Sequence, residues 1–164
     1  MNIRHLFAIG LVAAATCMPA HAEVGPYFGA KGGFMDIDAG GHDKALAGGG
    51  VIGYRFFDDQ RGSGALEAEA TLTVKDGDID GGGDWEATTI GFYFAYRSIG
   101  ELYFKGKAGF VDQDIDGTGG ASDDTTFSFG FGGGWQIDRK SALEVEYTSY
   151  DDLAFISVGF ITRF

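Results

Sequence analysis

The 164-residue sequence has one cysteine, two prolines, three histidines and 12 basic side chains against 24 acidic ones. Two prolines beside 29 glycines exclude a collagen-like chain and proline-rich disorder. A net charge of −12 excludes a protein that binds nucleic acid or anionic lipid through its bulk charge. After residue 22, no run approaches the roughly 18 consecutive apolar residues of a membrane-spanning helix. A helical membrane protein is therefore excluded as well.

The start of the chain predicts a cleaved secretory signal over residues 1–22. One basic residue precedes an apolar stretch at residues 6–15, and Ala20-His21-Ala22 forms a small-residue cleavage site. Cys17 raises the alternative of a lipoprotein, but the residues before it do not form a good lipidation site. Cleavage after Ala22 predicts one domain, residues 23–164, which has no cysteine and therefore neither disulfides nor thiol chemistry.

Eight segments of the remaining chain alternate between apolar and small or polar residues, as β-strands with two different faces do. The clearest segment places Leu66, Ala68 and Ala70 opposite Glu67 and Glu69. Most segments are long enough for the roughly 9–11 residues of a tilted membrane strand, and a helical period fits none of them well. The predicted strands lie at about residues 24–35, 45–57, 66–74, 89–97, 102–110, 127–137, 143–148 and 153–164.

Short and long connections alternate between these strands. The long connections are acidic and rich in glycine, and this difference is typical of the periplasmic turns and extracellular loops of outer-membrane barrels. An even number of strands then places both chain ends in the periplasm. The short connections are predicted at residues 58–63, 98–100 and 138–141, the long ones at 36–44, 75–84 and 112–126, and the fourth loop of the long side, 149–152, is short.

The two strand faces decide between a membrane barrel and the alternative, a soluble barrel such as a lipocalin, which buries its apolar face. Here the apolar face is large, and its aromatic residues gather toward the strand ends as interfacial girdles do. The chain also stops on a strand that would have an open edge outside a closed barrel. We predict an all-β fold, an eight-stranded antiparallel up-and-down transmembrane β-barrel in the bacterial outer membrane. The girdle aromatics are Tyr54, Phe56, Phe94, Tyr96, Trp135, Phe160 and Phe164.

The inward face carries a balanced set of charges although the whole chain is acidic. An eight-stranded barrel is just wide enough for its own side chains to fill it, and an unpaired charge in that interior is costly. Two interpretations stay open, a gated pore lined by charge and a lumen plugged by ion pairs, and the barrel size favours the plug. The predicted network contains Lys31, Arg55, Lys105 and Lys107 with Glu67, Glu69, Glu144 and Glu146, whereas Arg97 and Arg163 are placed nearer the periplasmic rim.

An acidic Asp-Ile-Asp repeat recurs in the three long connections, and two copies extend to the D-x-D-x-D-G spacing of the first half of a calcium loop. The closing glutamate of such a loop is absent and no helices flank the copies, so an EF-hand is excluded. A specific Ca²⁺ site and a hydrated acidic turn that binds Ca²⁺ or Mg²⁺ weakly both stay open, and we favour the second. The repeat lies at Asp36–Asp38, and its extended copies contain Asp76, Asp78 and Asp80, and Asp112, Asp114 and Asp116.

Residues that could perform catalysis are scarce. After the predicted signal, His42 is the only histidine, and it would need a serine of the same loop layer, such as Ser122, for a serine–histidine–acid arrangement. A membrane-embedded hydrolase needs more partners than these. We predict that the protein is not an enzyme and has no cofactor beyond weakly bound divalent cations.

Four stretches of the sequence carry a resemblance to a known family. They are Ala20-His-Ala22, Leu66-Glu-Ala-Glu-Ala, Phe110-Val-Asp-Gln-Asp-Ile-Asp, and the closing Ala142-Leu-Glu-Val-Glu-Tyr with Ser157-Val-Gly-Phe-Ile-Thr-Arg-Phe164. With them, nearly the whole chain after the signal resembles small outer-membrane β-barrel proteins of the porin-like, opacity-type and outer-membrane-protein-A-like group. The resemblance implies an interior ion-pair network like that of outer membrane protein A, although we expect no cell-wall-binding domain after Phe164. It also implies delivery by the barrel-assembly machinery, whose recognition signal would be Ile156, Val158, Phe160, Thr162 and Phe164.

These patterns predict an integral outer-membrane barrel with a charge-plugged lumen and a structural or surface-interaction role, such as membrane integrity or adhesion-type presentation of loops. A small porin-like diffusion channel is the alternative. The expected partners are outer-membrane lipid, lipopolysaccharide and, during biogenesis, the barrel-assembly machinery. We expect no nucleic acid partner, and the sequence does not identify a partner for the surface loops.

Overall fold

The computed structural model describes residues 24–37, 43–75, 77–78, 84–117, 122–151 and 153–164. The predicted signal over residues 1–22 lies outside this part of the chain, as does His42. No helix in the described ranges is long and apolar enough to cross a membrane. The strands are β1 Gly25–Ile37, β2 Ala45–Asp59, β3 Gly62–Lys75, β4 Gly77–Asp78, β5 Asp84–Ser98, β6 Leu102–Gly117, β7 Ser122–Gln136, β8 Ser141–Ser149 and β9 Leu153–Arg163.

The eight long strands close into a barrel. Strands that follow one another pair antiparallel, and two pairings, of β1 with β9 and of β3 with β5, complete the ring. The two-residue β4 pairs with the loop-side end of β5. The seam between β1 and β9 runs from Tyr27 opposite Arg163 to Ile37 opposite Leu153. Every long strand therefore has a partner on both sides, and the predicted eight-stranded up-and-down barrel is confirmed.

The strands turn their apolar side chains outward, as a membrane barrel requires. In β5, Phe92 is 66% exposed whereas the next residue, Tyr93, is 3% exposed. The predicted girdle aromatics all lie on the outer surface. The inner surface instead holds charged residues, hydroxyl residues, glycines and several tyrosines. A soluble barrel would show the reverse arrangement, so that alternative is wrong.

Glycines on the inner surface leave room for larger side chains and for close approach of the backbone. A Cβ atom at Gly109 would lie 1.9 Å from the carbonyl oxygen of Phe92 on the neighbouring strand. A Cβ atom at Gly130 would lie 2.8 Å from Cε of Lys107. These positions accept no side chain without movement of their neighbours, and the space they leave is occupied by the long side chains of the lumen.

The two ends of the barrel differ. Three short turns lie at one end, together with the start of β1 and the end of β9, and we call this the turn end; the opposite end is the loop end. In one turn, Asp138 Oδ1 accepts the backbone N–H groups of Lys140 and Ser141 at 2.7 and 2.8 Å. These bonds lower the pKa of the Asp138 carboxyl below its ordinary value. Asp59 Oδ1 likewise accepts the N–H of Arg61 at 2.7 Å, so local side chains fix these turns.

The strands at the loop end are longer than the sequence predicts. β6 continues to Gly117 and β7 begins at Ser122, so the predicted loop over residues 112–126 is wrong. Asp112 pairs with Thr125 inside the ladder between these two strands. Polar side chains on the outside of a strand that has left the membrane can be hydrated, and the backbone ladder therefore continues beyond the apolar belt.

Candidate functional site: the barrel lumen

Two strands on opposite sides of the barrel supply the acidic side chains of the lumen. β3 contributes Glu67 and Glu69, and β8 contributes Glu144 and Glu146. The members of each pair are two residues apart and therefore lie on the same inner face. All four are at most 5% exposed. Basic side chains from β1, β5 and β6 lie between the two pairs, so the site spans the width of the barrel.

Arg97 on β5 joins one glutamate from each pair. Its Nε donates to Glu144 Oε1 at 2.7 Å, and its Nη2 donates to Glu67 Oε1 at 2.6 Å. Its Nη1 donates to the hydroxyl of Tyr27 at 3.1 Å. The hydroxyls of Tyr27 and Tyr103 donate in turn to Glu67 and Glu144, at 2.5 and 2.6 Å. All three nitrogens of this guanidinium are used, and such charge-assisted bonds are among the strongest in proteins.

Three lysines extend these contacts into one network. Lys105 Nζ lies 2.7 Å from Glu146 Oε2, and Lys107 Nζ lies 2.7 Å from Oε1 of the same carboxylate. Lys107 and Lys31 also contact Glu69 Oε2, at 2.6 and 2.5 Å. Four cations thus face four anions, and this balance offsets the desolvation cost of burying eight charges. The charged network comprises Lys31, Glu67, Glu69, Arg97, Lys105, Lys107, Glu144 and Glu146.

The structure differs from the predicted network at one arginine. Arg55 forms an ion pair with Asp58 close to the turn end, and Arg97 occupies the place that was predicted for Arg55. Arg97 lies one residue before the turn end of β5, and its side chain reaches from there to Glu67 and Glu144. Neighbouring strands of a barrel are staggered, so the height of a side chain follows from the pairing register rather than from its distance to the strand end. The other seven predicted residues all lie in the charged network.

An apolar cluster fills the lumen at the loop end, beyond the charged network. Trp85, Tyr150 and Phe155 are its largest fully buried members, and all three are at most 2% exposed. The indole Nε1 of Trp85 donates to the carbonyl oxygen of Asp43 at 3.0 Å, so its one polar atom is satisfied. The apolar cluster contains Met35, Ala45, Ala47, Trp85, Ala87, Tyr93, Val111, Tyr150, Leu153 and Phe155.

Sequence reasoning missed this cluster because it assigned apolar side chains to the lipid. The alternation of the strands contains the signal that could have found it. Phe155 precedes the outward Ile156, and Met35 follows the outward Phe34, so strict alternation turns both Phe155 and Met35 inward. The same rule places Tyr27 inward, but only the structure reveals its bond to a glutamate.

The described part of the lumen includes a small and a larger cavity. One of about 20 Å³ borders the charged network and has room for about one water molecule. The other, of about 170 Å³, lies at the turn end. From the turn end to the loop end, the lumen therefore holds a polar cavity, the charged network and the apolar cluster.

The acidic repeat of the third long connection lies on the outer surface of β6. Asp112 is exposed, and its Oδ1 accepts the hydroxyl of Thr125 at 3.3 Å. The backbone of this copy is extended as part of β6, and its binding of Ca²⁺ stays a prediction. The described side chains include no group of three or more that could hold a metal ion. The side chains of Asp76, Asp78, Asp80 and Asp116 lie outside the described part.

The predicted assembly signal forms a row on the outer surface of β9. Ile156, Val158 and Phe160 are exposed there, and the ring of Phe164 lies 5.2 Å from that of Phe28 on β1. The row therefore lies on the lipid-facing surface beside the seam of the barrel. Its recognition during assembly stays a prediction.

Comparison with known proteins identifies a family and several similar structures. The outer membrane protein beta-barrel domain matches residues 7–156. Ail, the attachment invasion locus protein of Yersinia pestis, is 14% identical, with a TM-score of 0.57 over 88% of this chain and 100% of that chain. The N-terminal β-barrel domain of Pseudomonas aeruginosa OprF is 14% identical, with a TM-score of 0.58 over 87% of this chain and 100% of that chain.

The outer membrane protein OprG from Pseudomonas aeruginosa is 13% identical, with a TM-score of 0.55 over 87% of this chain and 99% of that chain. At such identities, these similarities show the fold alone. A comparison with curated protein sequences found no match. The family match, in contrast, covers most of the sequence and agrees with the closed barrel and its lipid-facing apolar surface. The chain belongs to the outer membrane protein β-barrel domain family, and so to the bacterial outer membrane.

Proposed function

We propose that the protein is a structural and loop-presenting barrel of the outer membrane whose lumen is closed to solutes. One observation carries this proposal: two different sets of side chains fill successive parts of the lumen. The charged network crosses the barrel, and the apolar cluster fills it at the loop end. An eight-stranded barrel is just wide enough to be filled by side chains. A solute would have to displace both layers, so the purified protein should not conduct ions.

A small diffusion channel is the second candidate. The cavity of about 170 Å³ at the turn end supports it, because a solute could enter the lumen as far as the charged network. Conduction would then require both inner layers to rearrange. The closed lumen is the better supported of the two, since many ion pairs and a packed apolar cluster would have to be broken together.

We further propose that the turn end faces the periplasm and the loop end faces the cell exterior. Two of the four loop-end connections, residues 38–44 and, with the short β4, residues 76–83, are longer than any of the three turns, which supports this orientation. Charge supports it as well, because the loop-end segments 36–44, 75–86, 112–126 and 151–152 contain fifteen acidic and two basic side chains. The rest of the chain after residue 22 contains nine of each sign.

A pair of cysteine variants tests the orientation. Lys44→Cys lies at the loop end and Lys140→Cys in a turn, both at exposed positions, and the native Cys17 falls within the predicted signal. On intact cells, a membrane-impermeant maleimide should label Lys44→Cys and leave Lys140→Cys unlabelled. Both variants should react equally after lysis. Labelling of Lys140→Cys but not Lys44→Cys on intact cells would reverse the proposed orientation.

The acidic loop end suggests the partners of the exposed surface. We propose that it meets the lipopolysaccharide layer through divalent cations held weakly between its carboxylates and the lipid phosphates. Carboxylates suit hard cations such as Ca²⁺ and Mg²⁺, and direct contact with anionic lipid would be repulsive without them. The loops would thereby stabilise the membrane surface while remaining available to a further partner.

We propose that the protein is not an enzyme and holds no resident cofactor, because the sequence supplies only His42 and a serine such as Ser122 as candidates for hydrolysis. For biogenesis, we propose that the barrel-assembly machinery recognises the outward row of β9. The support is the position of that row beside the seam, where the first and the last strand pair.

A further inference from the structure

The cavity at the turn end is polar and cationic. Its walls come from the turn-end parts of β2, β3, β5, β6, β7 and β9 and from the turn between β5 and β6. Among its described lining residues, three are arginines and one is an acid, Asp58. The lining residues are Arg55, Asp58, Gly62, Ser63, Arg97, Ser98, Ile99, Gly100, Tyr103, Gln136 and Arg163.

The three arginines are paired to different extents. Arg97 belongs to the charged network, which is already neutral. Arg55 is paired through Nη1 with Asp58. Arg163 donates from Nη2 to the neutral amide oxygen of Gln136 at 2.9 Å, and among the described residues it forms no ion pair. One positive charge at this mouth is therefore left without a balancing carboxylate.

Two buried hydrogen-bond donors beside this cavity also lack an acceptor. The Nε atoms of Arg55 and Arg163 are buried and have no hydrogen-bond partner in the described part of the chain. Arg55 itself is only 4% exposed. An unfilled buried donor costs free energy, and more so when it carries charge. Both residues line the same cavity, so an anion bound there would lie beside both guanidinium groups and balance the excess charge.

We propose that this cavity binds a phosphate group. Guanidinium groups present planar forks of donors that match phosphate oxygens, and their charge stays fixed across the physiological pH range. A volume of about 170 Å³ corresponds to roughly five water molecules, enough for a phosphate group that keeps part of its hydration. The cavity is smaller than the pockets that bind drug-sized ligands, so it is too small to bury a nucleotide or an oligosaccharide fully.

The phosphate group has two sources at this end of the barrel. Free phosphate can enter an open mouth, and the headgroup of a phospholipid can reach it from the surrounding leaflet. Both sources present the same oxyanion to Arg55 and Arg163. The inference concerns this mouth alone and holds whether or not the lumen conducts.

Calorimetric titration of the full protein in dodecyl maltoside micelles tests the site, in Tris chloride buffer without other phosphate. Inorganic phosphate is the first arm, and short-chain phosphatidylglycerol is the second. We expect one saturable site per chain, with binding weakened roughly tenfold or more in Arg163→Gln. Arg139→Gln is the matched control, since it removes the same charge from an exposed position in a turn at the same end. It should bind as the wild type does.

Arg163→Lys keeps the positive charge but loses the planar set of N–H donors of the guanidinium group. It is measured in place of Arg163→Gln if Arg163→Gln does not show the heat-modifiable gel migration of a folded barrel. Saturation by inorganic phosphate identifies a free-anion site, and saturation by the lipid alone identifies a headgroup site. Either result supports the proposal if it depends on Arg163. The absence of saturable binding in both arms to the folded wild type would overturn it. Unchanged affinity in a folded Arg163 variant would overturn it as well.

Discussion

Replacement of Glu67 by glutamine is expected to lower the free energy of unfolding of the barrel by about 3–5 kcal/mol. The Glu67 side chain is fully buried, accepts hydrogen bonds from Tyr27 and Arg97, and lies 3.3 Å from Lys105 Nζ. Glutamine keeps the shape but removes the charge, which leaves four buried cations against three anions. The measurement is urea-dependent unfolding in lipid vesicles, followed by tryptophan fluorescence.

Glu101→Gln is the control, because it removes the same charge from an exposed turn. We expect its unfolding free energy to stay within about 0.5 kcal/mol of the wild type. The double variant Glu67→Gln/Lys105→Met restores charge balance and should be less destabilised than the sum of its two single changes. Equal unfolding midpoints for Glu67→Gln and Glu101→Gln would mean that the charged network does not hold the barrel together.

Replacement of Phe155 by alanine is expected to lower the free energy of unfolding by about 3–5 kcal/mol, because it removes buried apolar packing. Its side chain is fully buried in the apolar cluster, and alanine would leave a cavity between the charged network and the loop end. Lys31 Nζ lies 5.4 Å from the Phe155 ring centre, so the change also removes a cation–π contact. The same urea titration in vesicles measures the loss.

Ile156→Ala is the matched control for Phe155. It shortens the adjacent side chain, which is 52% exposed on the outer surface, so its removal leaves no enclosed cavity. If the two variants lost the same stability, the apolar cluster would be incidental to the fold. The charged network stays in place in Phe155→Ala, so this variant alone should not conduct ions.

The strands and their faces could be predicted because alternation is a local property. Phe92 and Tyr93 are adjacent in sequence, and the period of two assigns them to opposite surfaces without any long-range information. The chain between residues 112 and 126 shows where this reasoning fails. Aspartate and glycine there predict a loop, whereas the ladder with the neighbouring strand keeps Asp112 extended. Pairing partners outside the local segment decided the outcome.

The lumen could be predicted in composition but not in detail. The four glutamates and three lysines follow from alternation alone. The presence of Arg97 rather than Arg55 in the charged network depends on the stagger between strands, and the sequence of a single strand does not reveal this stagger. Phe155 shows a second limit, since an apolar residue on an inward position contradicts the expectation that apolar side chains meet lipid. At the loop end, the lumen is closed as a soluble core would be, by apolar packing.

The closed lumen is tested most directly by single-channel recording of the wild-type protein in planar lipid bilayers. We expect no stable unitary currents from preparations that show heat-modifiable migration. The double variant Glu67→Gln/Phe155→Ala, which weakens both layers, serves as the comparison and should show currents wherever it still folds. Regular unitary steps from the wild type, absent from the same preparation after heat denaturation, would contradict the account and establish the diffusion channel.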